Sequence, residues 1–419
     1  MEIEARPKII GARVQRVEDP RLLAGQGRFI DDLNLPGTLH VAFARSEHAH
    51  ARIVATDSAD AARMPGVVAV FTAADIVDLM QPIRATSRMA DYHATELPVL
   101  ARDKVRYVGE AVAAVVAESR YLAEDAAEQI VITYEPMGNA IDPVANVEPD
   151  APLLHEDAGT NVIVSRTFVR GDVDEAMDSA PIRVGDTFRM HRKTPTAMEN
   201  RGYLADYDQG RRALTLHSTS QVPGIVHDAL VETLDMPGNR IRVVAPDVGG
   251  GFGGKGALYP EEVLVCILAR QLGRPIKWLS DRLEDLMTTN QAFDERIEAE
   301  LACDEEGRIL GLRAEVIGDV GAYSIYPWTA AVEPVQVISF LPGPYRVPSY
   351  FGRVRAVATS KTPTGAYRGV GRPISTFVME RLVDMAAAKL SLDPLEMRRR
   401  NMVRAEEFPY KSASGIVWD

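Results

Sequence analysis

Cysteine is scarce in this 419-residue sequence, which contains only Cys266 and Cys303. Two thiols are too few to ligate a zinc or iron–sulfur centre within the chain, and we expect both to be small buried hydrophobes. No apolar run approaches the roughly 20 residues of a membrane-spanning helix. The N-terminus, MEIEARPKII, lacks the apolar core of a secretory signal. These absences predict a cytoplasmic protein without a membrane span.

An excess of positive charge is also missing, because 47 Lys and Arg stand against 59 Asp and Glu, a formal net charge of −12. This balance argues against nucleic acid or an anionic membrane as the main partner, since both select basic surfaces. The net charge does not exclude a small anionic ligand, because main-chain donors can outweigh it locally. The length predicts two or three domains.

Strand-like and helix-like runs divide the chain into two units. The first, residues 1–140, contains short strand-like runs and a β-α-β pattern that extends from AVAAVVA to IVITY. A segment rich in proline, asparagine and aspartate predicts a linker at 141–160. The second unit, 161–419, contains a hairpin pattern that turns at Asp304 to Gly307.

Proline marks three helix starts in the second unit. We predict helices from Pro223 to Leu234 and from Pro260 to Leu272, and a helical spacing of apolar residues in TFVMERLVDMAAAKL. A further helix starts at Pro394, with Asp393 as cap and Glu396 completing the capping pattern. The sequence ends in KSASGIVWD without a closing element, so we expect that the chain was cut or continues in another polypeptide.

The stretch DVGGGFGGKG, residues 247–256, half-fits two phosphate-binding signatures. Gly249 to Lys255 matches the start of a Walker A loop, but Gly256 stands where Ser or Thr would hold Mg²⁺. The same glycines match GxGxxG, although the predicted helix begins several residues too late to meet a pyrophosphate. A plain glycine-rich turn is the alternative. The aromatic Phe252 among the glycines favours a bulky polar cofactor, held by main-chain donors beside a wall that excludes water.

Taken with other segments, this stretch resembles the molybdopterin-binding large subunit of the xanthine dehydrogenase and aldehyde oxidase family. The matching segments follow the family's order over essentially the whole chain: RVEDPRLLAGQGRFIDDLNLPGTLH, RSEHAHARI, MPGVVAVFTAADI, KVRYVGEAVAAVVAES, PTAMENRG, STSQVPG, RVVAPDVGGGFGGKG, LPGPYRVP, KTPTGAYRGVGRP and LDPLEMRRRNMV. The resemblance implies an α+β fold with an N-terminal α/β hammerhead domain (1–140) and the first molybdenum-cofactor-binding domain (161–419). The second cofactor domain is absent from this sequence.

The resemblance also implies site residues around a molybdenum–molybdopterin cofactor, of which the cytosine dinucleotide is one form. Gln221 of STSQVPG matches the glutamine beside the molybdenum oxo group, and Arg368 of AYRGVGR matches an arginine that contacts the cofactor through its main chain. The loop that contacts the metal centre and pterin matches Gly250, Gly251, Phe252 and Gly253. Gln221, Phe252 and Arg368 lie near the metal and are not its ligands. The alternatives are a helix cap for Gln221 and a surface or interdomain salt bridge for Arg368.

Three departures from the family's patterns narrow the substrate. Purine-oxidising members carry Glu at the position of Gly256 and Phe at that of Val370, so both are substrate-pocket positions and xanthine is not expected. Carbon monoxide dehydrogenases carry a cysteine where Gly369 stands, so a Mo–S–Cu centre is not expected. An aldehyde or an aromatic N-heterocycle remains, and the sequence does not choose between them.

The resemblance implies hydroxylation with water as the oxygen source, with electrons passing to [2Fe–2S] and FAD in partner subunits. The family's glutamate base lies beyond residue 419, so we expect no catalytic residue in this chain and no turnover by it alone. Glu110 in RYVGE matches the hammerhead domain instead. The implied partners are a chain with the C-terminal half, a [2Fe–2S] small subunit and an FAD medium subunit. The alternatives are a non-catalytic remnant or assembly protein, and a P-loop-type nucleotide-binding protein.

Overall fold

The computed structural model describes residues 11–419, so the MEIEARPKII segment lies outside the described residues. The helices are α1 (Asp19–Leu23), α2 (Ala59–Arg63), α3 (Ala73–Ile76), α4 (Arg120–Ala127), α5 (Val173–Ser179), α6 (Pro223–Leu234), α7 (Pro260–Leu272), α8 (Arg282–Thr288), α9 (Val332–Phe340), α10 (Arg372–Leu390) and α11 (Pro394–Asn401). The strands are β1 (Leu39–Arg45), β2 (Ala51–Asp57), β3 (Val67–Thr72), β4 (Ile83–Arg84), β5 (Glu96–Leu97), β6 (Lys104–Val105), β7 (Ala111–Ala117), β8 (Val131–Pro136), β9 (Val162–Arg170), β10 (Ile182–Met190), β11 (Gly202–Asp208), β12 (Ala213–Ser218), β13 (Ile241–Val244), β14 (Ile276–Leu279), β15 (Glu295–Cys303), β16 (Ile309–Gly321), β17 (Ser349–Ala358), β18 (Tyr410–Lys411) and β19 (Val417–Trp418).

A seven-stranded sheet in the order β13-β12-β11-β14-β1-β7-β3 joins early and late parts of the chain. The junction is the parallel pair β1–β14, in which Leu39 lies opposite Ile276. Every residue of β7, the AVAAVVA run, is buried, as expected for a strand that is covered on both faces. The strand after α4, β8, belongs to a separate sheet with β2 and β6. The domain boundaries at 140 and 160 stay predictions.

A five-stranded sheet in the order β10-β15-β16-β17-β9 carries the second core. Its β15–β16 pair is the predicted hairpin, and the Asp304 N–H donates to the Arg308 carbonyl across the turn at 3.0 Å. Helices α9 and α10 pack on this sheet, and apolar side chains of all three form one buried cluster.

Helices α6 and α7 begin and end at the predicted residues. Helix α11 also begins as predicted, and the Asp393 carboxylate accepts the N–H groups of Leu395 and Glu396. The prediction that Glu396 completes the capping pattern is wrong. Its carboxylate accepts from Arg400 at 2.9 Å, because an arginine one helical turn later offers a charged donor.

The final residues, for which the sequence indicated no closing element, form the short antiparallel pair β18–β19. The Trp418 ring meets the Phe340 ring, at the end of α9, edge to face with a centroid distance of 6.3 Å. None of the helices in residues 11–419 has the length and apolar character needed to cross a membrane.

Candidate functional site

The glycine run forms a loop between β13 and α7, and Glu199 supports its start. One carboxylate oxygen of Glu199 accepts the Gly249 N–H at 2.7 Å and the Lys255 Nζ at 3.1 Å. The main-chain N–H of Glu199 donates to the Gly249 carbonyl at 3.1 Å. Lys255, which matched the lysine of a Walker A loop, is thus buried in an ion pair with Glu199, and this pair stabilises the loop.

Gln221 contacts the same loop from the other side. Its Oε1 atom accepts the N–H of Gly253 at 2.9 Å and of Lys255 at 3.3 Å, and its own N–H donates to the Lys255 carbonyl at 2.9 Å. The alternative that Gln221 caps the next helix is wrong, since Val222 is the N-cap residue of α6 and no side chain caps that helix. Two donors fix the amide orientation, which leaves the Nε2 group of Gln221 free to donate.

The loop with Arg368 meets the glycine loop directly. The Arg368 N–H donates to the Phe252 carbonyl at 2.9 Å. A Cβ on Gly253, where φ is +102°, would lie 2.4 Å from the Ala366 carbonyl oxygen, so only glycine permits this approach. Among residues 11–419 the Arg368 guanidinium forms no salt bridge. The alternative of a surface or interdomain salt bridge therefore stays an untested prediction.

Gln221, Phe252 and Arg368 therefore form one patch, and all three are exposed. The Phe252 side chain is 46 % exposed and its residue is held at φ +53°, a conformation rarely adopted by a bulky residue outside functional sites. The N–H groups of Gly250, Gly251 and Phe252 have no protein acceptor in the part of the chain described. Three consecutive free donors beside an exposed ring suit an electron-rich ligand.

The predicted substrate-pocket positions flank this patch. Val370, partly buried at φ +53°, donates its N–H to the Tyr367 carbonyl, and the Gly256 carbonyl accepts the indole N–H of Trp328 at 3.2 Å. Trp328 is 49 % exposed and stands beside the loop. Sequence reasoning missed it, because a lone tryptophan carries no motif and its pairing with Gly256 spans 72 residues.

A buried ion cluster supports the glycine loop from below. Arg201 is 1 % exposed, donates to Glu261 at 3.1 Å and lies over the Tyr259 ring at 4.0 Å. The Tyr259 hydroxyl in turn donates to the Gly254 carbonyl. Burial alone would raise the pKa of Glu261, but Arg201 and Arg45 hold that pKa below its ordinary value. The glycine loop therefore packs on a cluster of charged side chains that is almost fully buried.

The other residues singled out from the sequence, Glu110 and the two cysteines, lie outside the patch. Glu110 is buried, accepts the Tyr323 hydroxyl at 2.6 Å and ties the early part of the chain to residues after β16. Cys266 and Cys303 are both buried, as predicted. Within residues 11–419 no group of three or more His, Cys, Asp or Glu side chains is arranged to hold a metal ion.

Gly251→Ala tests the contact between Gln221 and the loop. A Cβ at position 251 would lie 2.4 Å from Gln221 Oε1, so we expect the free energy of unfolding to fall by about 1–3 kcal/mol in thermal denaturation. In Gln221→Ala/Gly251→Ala the clash is gone, and most of the loss should be restored. Gly224→Ala in α6, where a Cβ meets nothing within 4 Å, is the control. An equal loss in the single and double variants would contradict the contact.

Two family models match the chain. Residues 154–402 match the molybdopterin cofactor-binding domain, and residues 24–138 match the α/β hammerhead domain of aldehyde oxidase and xanthine dehydrogenase. The first match covers more than half of the chain. The hammerhead match precedes the cofactor-binding match along the chain, which confirms the predicted fold class.

Known proteins with similar sequences or structures indicate the same family. Nicotine 6-hydroxylase large subunit of Paenarthrobacter nicotinovorans is 39 % identical over 412 residues, 98 % of this chain and 50 % of that protein. Quinoline 2-oxidoreductase from Pseudomonas putida 86 superposes with a TM-score of 0.94 and 42 % identity, over 97 % of this chain and 51 % of that one. Nicotinate dehydrogenase large molybdopterin subunit of Eubacterium barkeri is 28 % identical over 98 % of this chain and 92 % of that protein.

The chain spans about half the length of the first two of these proteins. The glycine loop, Gln221 and Arg368 all lie within the matched cofactor-binding domain. The chain therefore belongs to the xanthine dehydrogenase and aldehyde oxidase family, where it corresponds to the N-terminal half of the molybdopterin-binding large subunit.

Proposed function

We propose that this chain is half of the molybdenum-cofactor subunit of a hydroxylase that oxidises an aromatic N-heterocycle with water as the oxygen source. The observation that carries the proposal is the single patch in which direct hydrogen bonds join Gln221 to Gly253 and Arg368 to Phe252. The patch is exposed, which suits one wall of a site whose other wall comes from a second chain. No residue of this chain acts as the base in this proposal.

The residues of the patch fit a molybdenum–pterin cofactor. When bound, that cofactor supplies the two-electron oxidation and the transfer of oxygen from water. The free N–H groups of Gly250, Gly251 and Phe252 would donate to its polar atoms, and the Phe252 ring would exclude water. Gln221 would offer its Nε2 group near the metal. Arg368 would hold its loop, and so the cofactor, through its main chain.

Positions around the patch support the choice of substrate. A Cβ on Gly256 would lie 3.0 Å from the Gly253 carbonyl oxygen, so a glutamate here, as in purine oxidation, would require a small shift of the loop. A Cβ on Gly369 would lie 2.6 Å from Pro373, which disfavours a cysteine. Trp328 and Val370 offer an aromatic face and a small apolar wall to a flat ring. Two similar proteins are named for nicotine and quinoline, which are aromatic N-heterocycles. An aldehyde is the alternative.

The proposed partners follow from the half-length match. A second chain supplies the other cofactor domain and its glutamate base, while [2Fe–2S] and FAD subunits carry electrons away. A relative named as a large molybdopterin subunit is matched over 92 % of its length, so a subunit of this size has a counterpart among known proteins. We propose the cytosine dinucleotide form of the cofactor. Two buried free thiols favour the reducing cytoplasm as the location.

Copurification from the native host tests this function. We expect a tagged chain to bring down a second-half chain and [2Fe–2S] and FAD subunits, with close to stoichiometric molybdenum by mass spectrometry. The complex should hydroxylate quinoline in H₂¹⁸O with the label in the product. Oxidation of benzaldehyde alone would overturn the substrate class. A chain that purifies alone without molybdenum would favour an assembly protein, and tight ATP or NAD binding would favour a nucleotide-binding protein.

A further inference from the structure

Two carboxyl groups lie buried together beneath the loop that carries Arg368 and Val370. Glu295, the first residue of β15, is 4 % exposed, and Glu333, in the first turn of α9, is 3 % exposed. Glu295 lies opposite Gly318 in the β15–β16 pair, and a Cβ on Gly318 would lie 2.4 Å from the Cβ of Pro334, the residue after Glu333. The Oε2 atoms of both glutamates are buried, and neither has a hydrogen-bond partner among residues 11–419. One oxygen of Glu333 accepts the Phe293 N–H at 2.8 Å. We call Glu295 and Glu333 the acid pair.

Within residues 11–419 no salt bridge reaches the acid pair. Arg192, whose charge acts on Glu333, is held by Asp294 and Asp319 at 3.0 and 2.9 Å, and Lys361 is held by the same two carboxylates at 3.1 and 2.6 Å. The two positive charges of Arg192 and Lys361 are balanced by the two negative charges of Asp294 and Asp319. A fully ionised acid pair would therefore leave two adjacent, uncompensated buried charges.

Such a pair keeps at least one proton at neutral pH. Burial raises the pKa of Glu333 to about 7. Burial, followed by the charge of Glu333, also raises the pKa of Glu295. Another cation, Lys193, lies over the Phe293 ring, with its Nζ atom 4.6 Å from the ring centroid.

Direct contacts connect the acid pair to the site. The Phe293 ring, on a residue held at φ +60°, meets the Tyr367 ring edge to face at 5.5 Å. The Tyr367 carbonyl accepts the Val370 N–H at 2.6 Å. The Glu333 carbonyl oxygen lies 2.5 Å from where a Cβ on Gly371 would stand, so the main chain of α9 backs the loop. A movement of Glu333 would therefore reach the loop through both its side chain and its main chain.

We propose that Glu295 and Glu333 are positioning residues, and that a proton shared between them holds the 365–371 segment in the conformation that presents Arg368 and Val370. Loss of that proton places two like charges in contact and pushes Glu333, Phe293 and the segment apart. Both groups have raised pKa values, so their contribution to stability is complete below the unfolded pKa and is lost as pH rises through the folded values. The effect on substrate rests on the proposed function, whereas the effect on the segment does not.

Hydrogen exchange of the 365–371 segment in the purified complex tests the proposal. After correction for intrinsic rates, wild-type exchange should speed up about tenfold between about pH 6 and about pH 8, as expected for loss of one proton. Glu333→Gln should exchange at a nearly constant rate, because its amide accepts from Phe293 and donates to Glu295 without a shared proton. Glu298→Gln, exposed on the same strand, is the control and should follow wild type.

Substrate kinetics give a second readout. The KM for quinoline should rise with pH in wild type and stay flat in Glu333→Gln, with kcat changing less in both. A complex without hydroxylase activity would overturn the proposed function, while the exchange profile would still decide the role of the acid pair. Parallel pH profiles of exchange in wild type and Glu333→Gln would overturn that role. If Glu333→Gln fails to fold, Glu295→Gln provides the same comparison.

Discussion

Arg201→Met is expected to lower the free energy of unfolding by about 3–5 kcal/mol, the cost of leaving buried charges without their partner. Besides its bond to Glu261, Arg201 lies 3.5 Å from Asp285 and donates to Thr288 and Thr289. Methionine fills a similar length with apolar atoms but supplies no donor. Among the residues that the structure describes, the salt-bridge partner left to Glu261 would be Arg45, which it shares with Glu284.

The pH dependence of this loss gives a second check. Arg201 and Arg45 hold the pKa of Glu261 below its ordinary value, so their contribution to stability is present above the unfolded pKa and is lost as pH falls through the folded pKa. In Arg201→Met the carboxyl can take up a proton at a higher pH. The gap between wild type and variant should therefore narrow as pH is lowered from about 7 to about 4.

Urea denaturation of both proteins at several pH values measures the effect. Arg52→Met, which removes one partner of an exposed ion pair with Glu135, is the matched control and should change stability little. A loss in Arg201→Met no larger than in this control would show that the ion cluster does not support the fold. The expected loss also bears on the site, since Arg201 supports Tyr259 and so the Gly254 carbonyl.

The sequence predicted those parts of the fold whose signals are local. Helix α7 has proline and two glutamates in its first turn, and its C-cap residue Gly273 is held at φ +62°, so its limits are set by residues within the helix or next to it. The hairpin β15–β16 likewise turns where its polar residues cluster. The Glu396 prediction failed for a local reason too, because two local partners compete for one carboxylate.

Long-range contacts were not predictable in this way. The cluster of Arg201 brings together Arg45, Glu261 and Glu284, which are up to 239 residues apart, and no periodicity connects them. Family resemblance pointed to the positions of Gln221 and Arg368, but not to their contacts. The bond from Gln221 to the Gly253 N–H depends on how two loops approach each other, which only tertiary packing decides.

Gly253→Ala is expected to remove most of the molybdenum from the complex. Alanine at φ +102° is strained by about 1–3 kcal/mol. Its Cβ would also lie 2.4 Å from the Ala366 carbonyl oxygen and 3.1 Å from Tyr367 Cα, so main chain must move. That movement separates the two loops and breaks the Arg368–Phe252 hydrogen bond. About 3 kcal/mol of lost cofactor binding corresponds to an affinity more than 100-fold weaker.

Metal analysis of the purified complex, with pterin quantified alongside, measures this loss. Gly159→Ala is the matched control, because Gly159 has φ +66° but a Cβ there meets nothing within 4 Å. It carries the conformational strain without the clash and should keep its molybdenum. A Gly253→Ala complex with full molybdenum would mean that the two loops can separate without loosening the cofactor, and the patch would then not be its binding site. If the Gly253→Ala complex assembles normally but contains little molybdenum, the defect lies at the contact between the loops. The control variant carries the same kind of backbone strain without the clash.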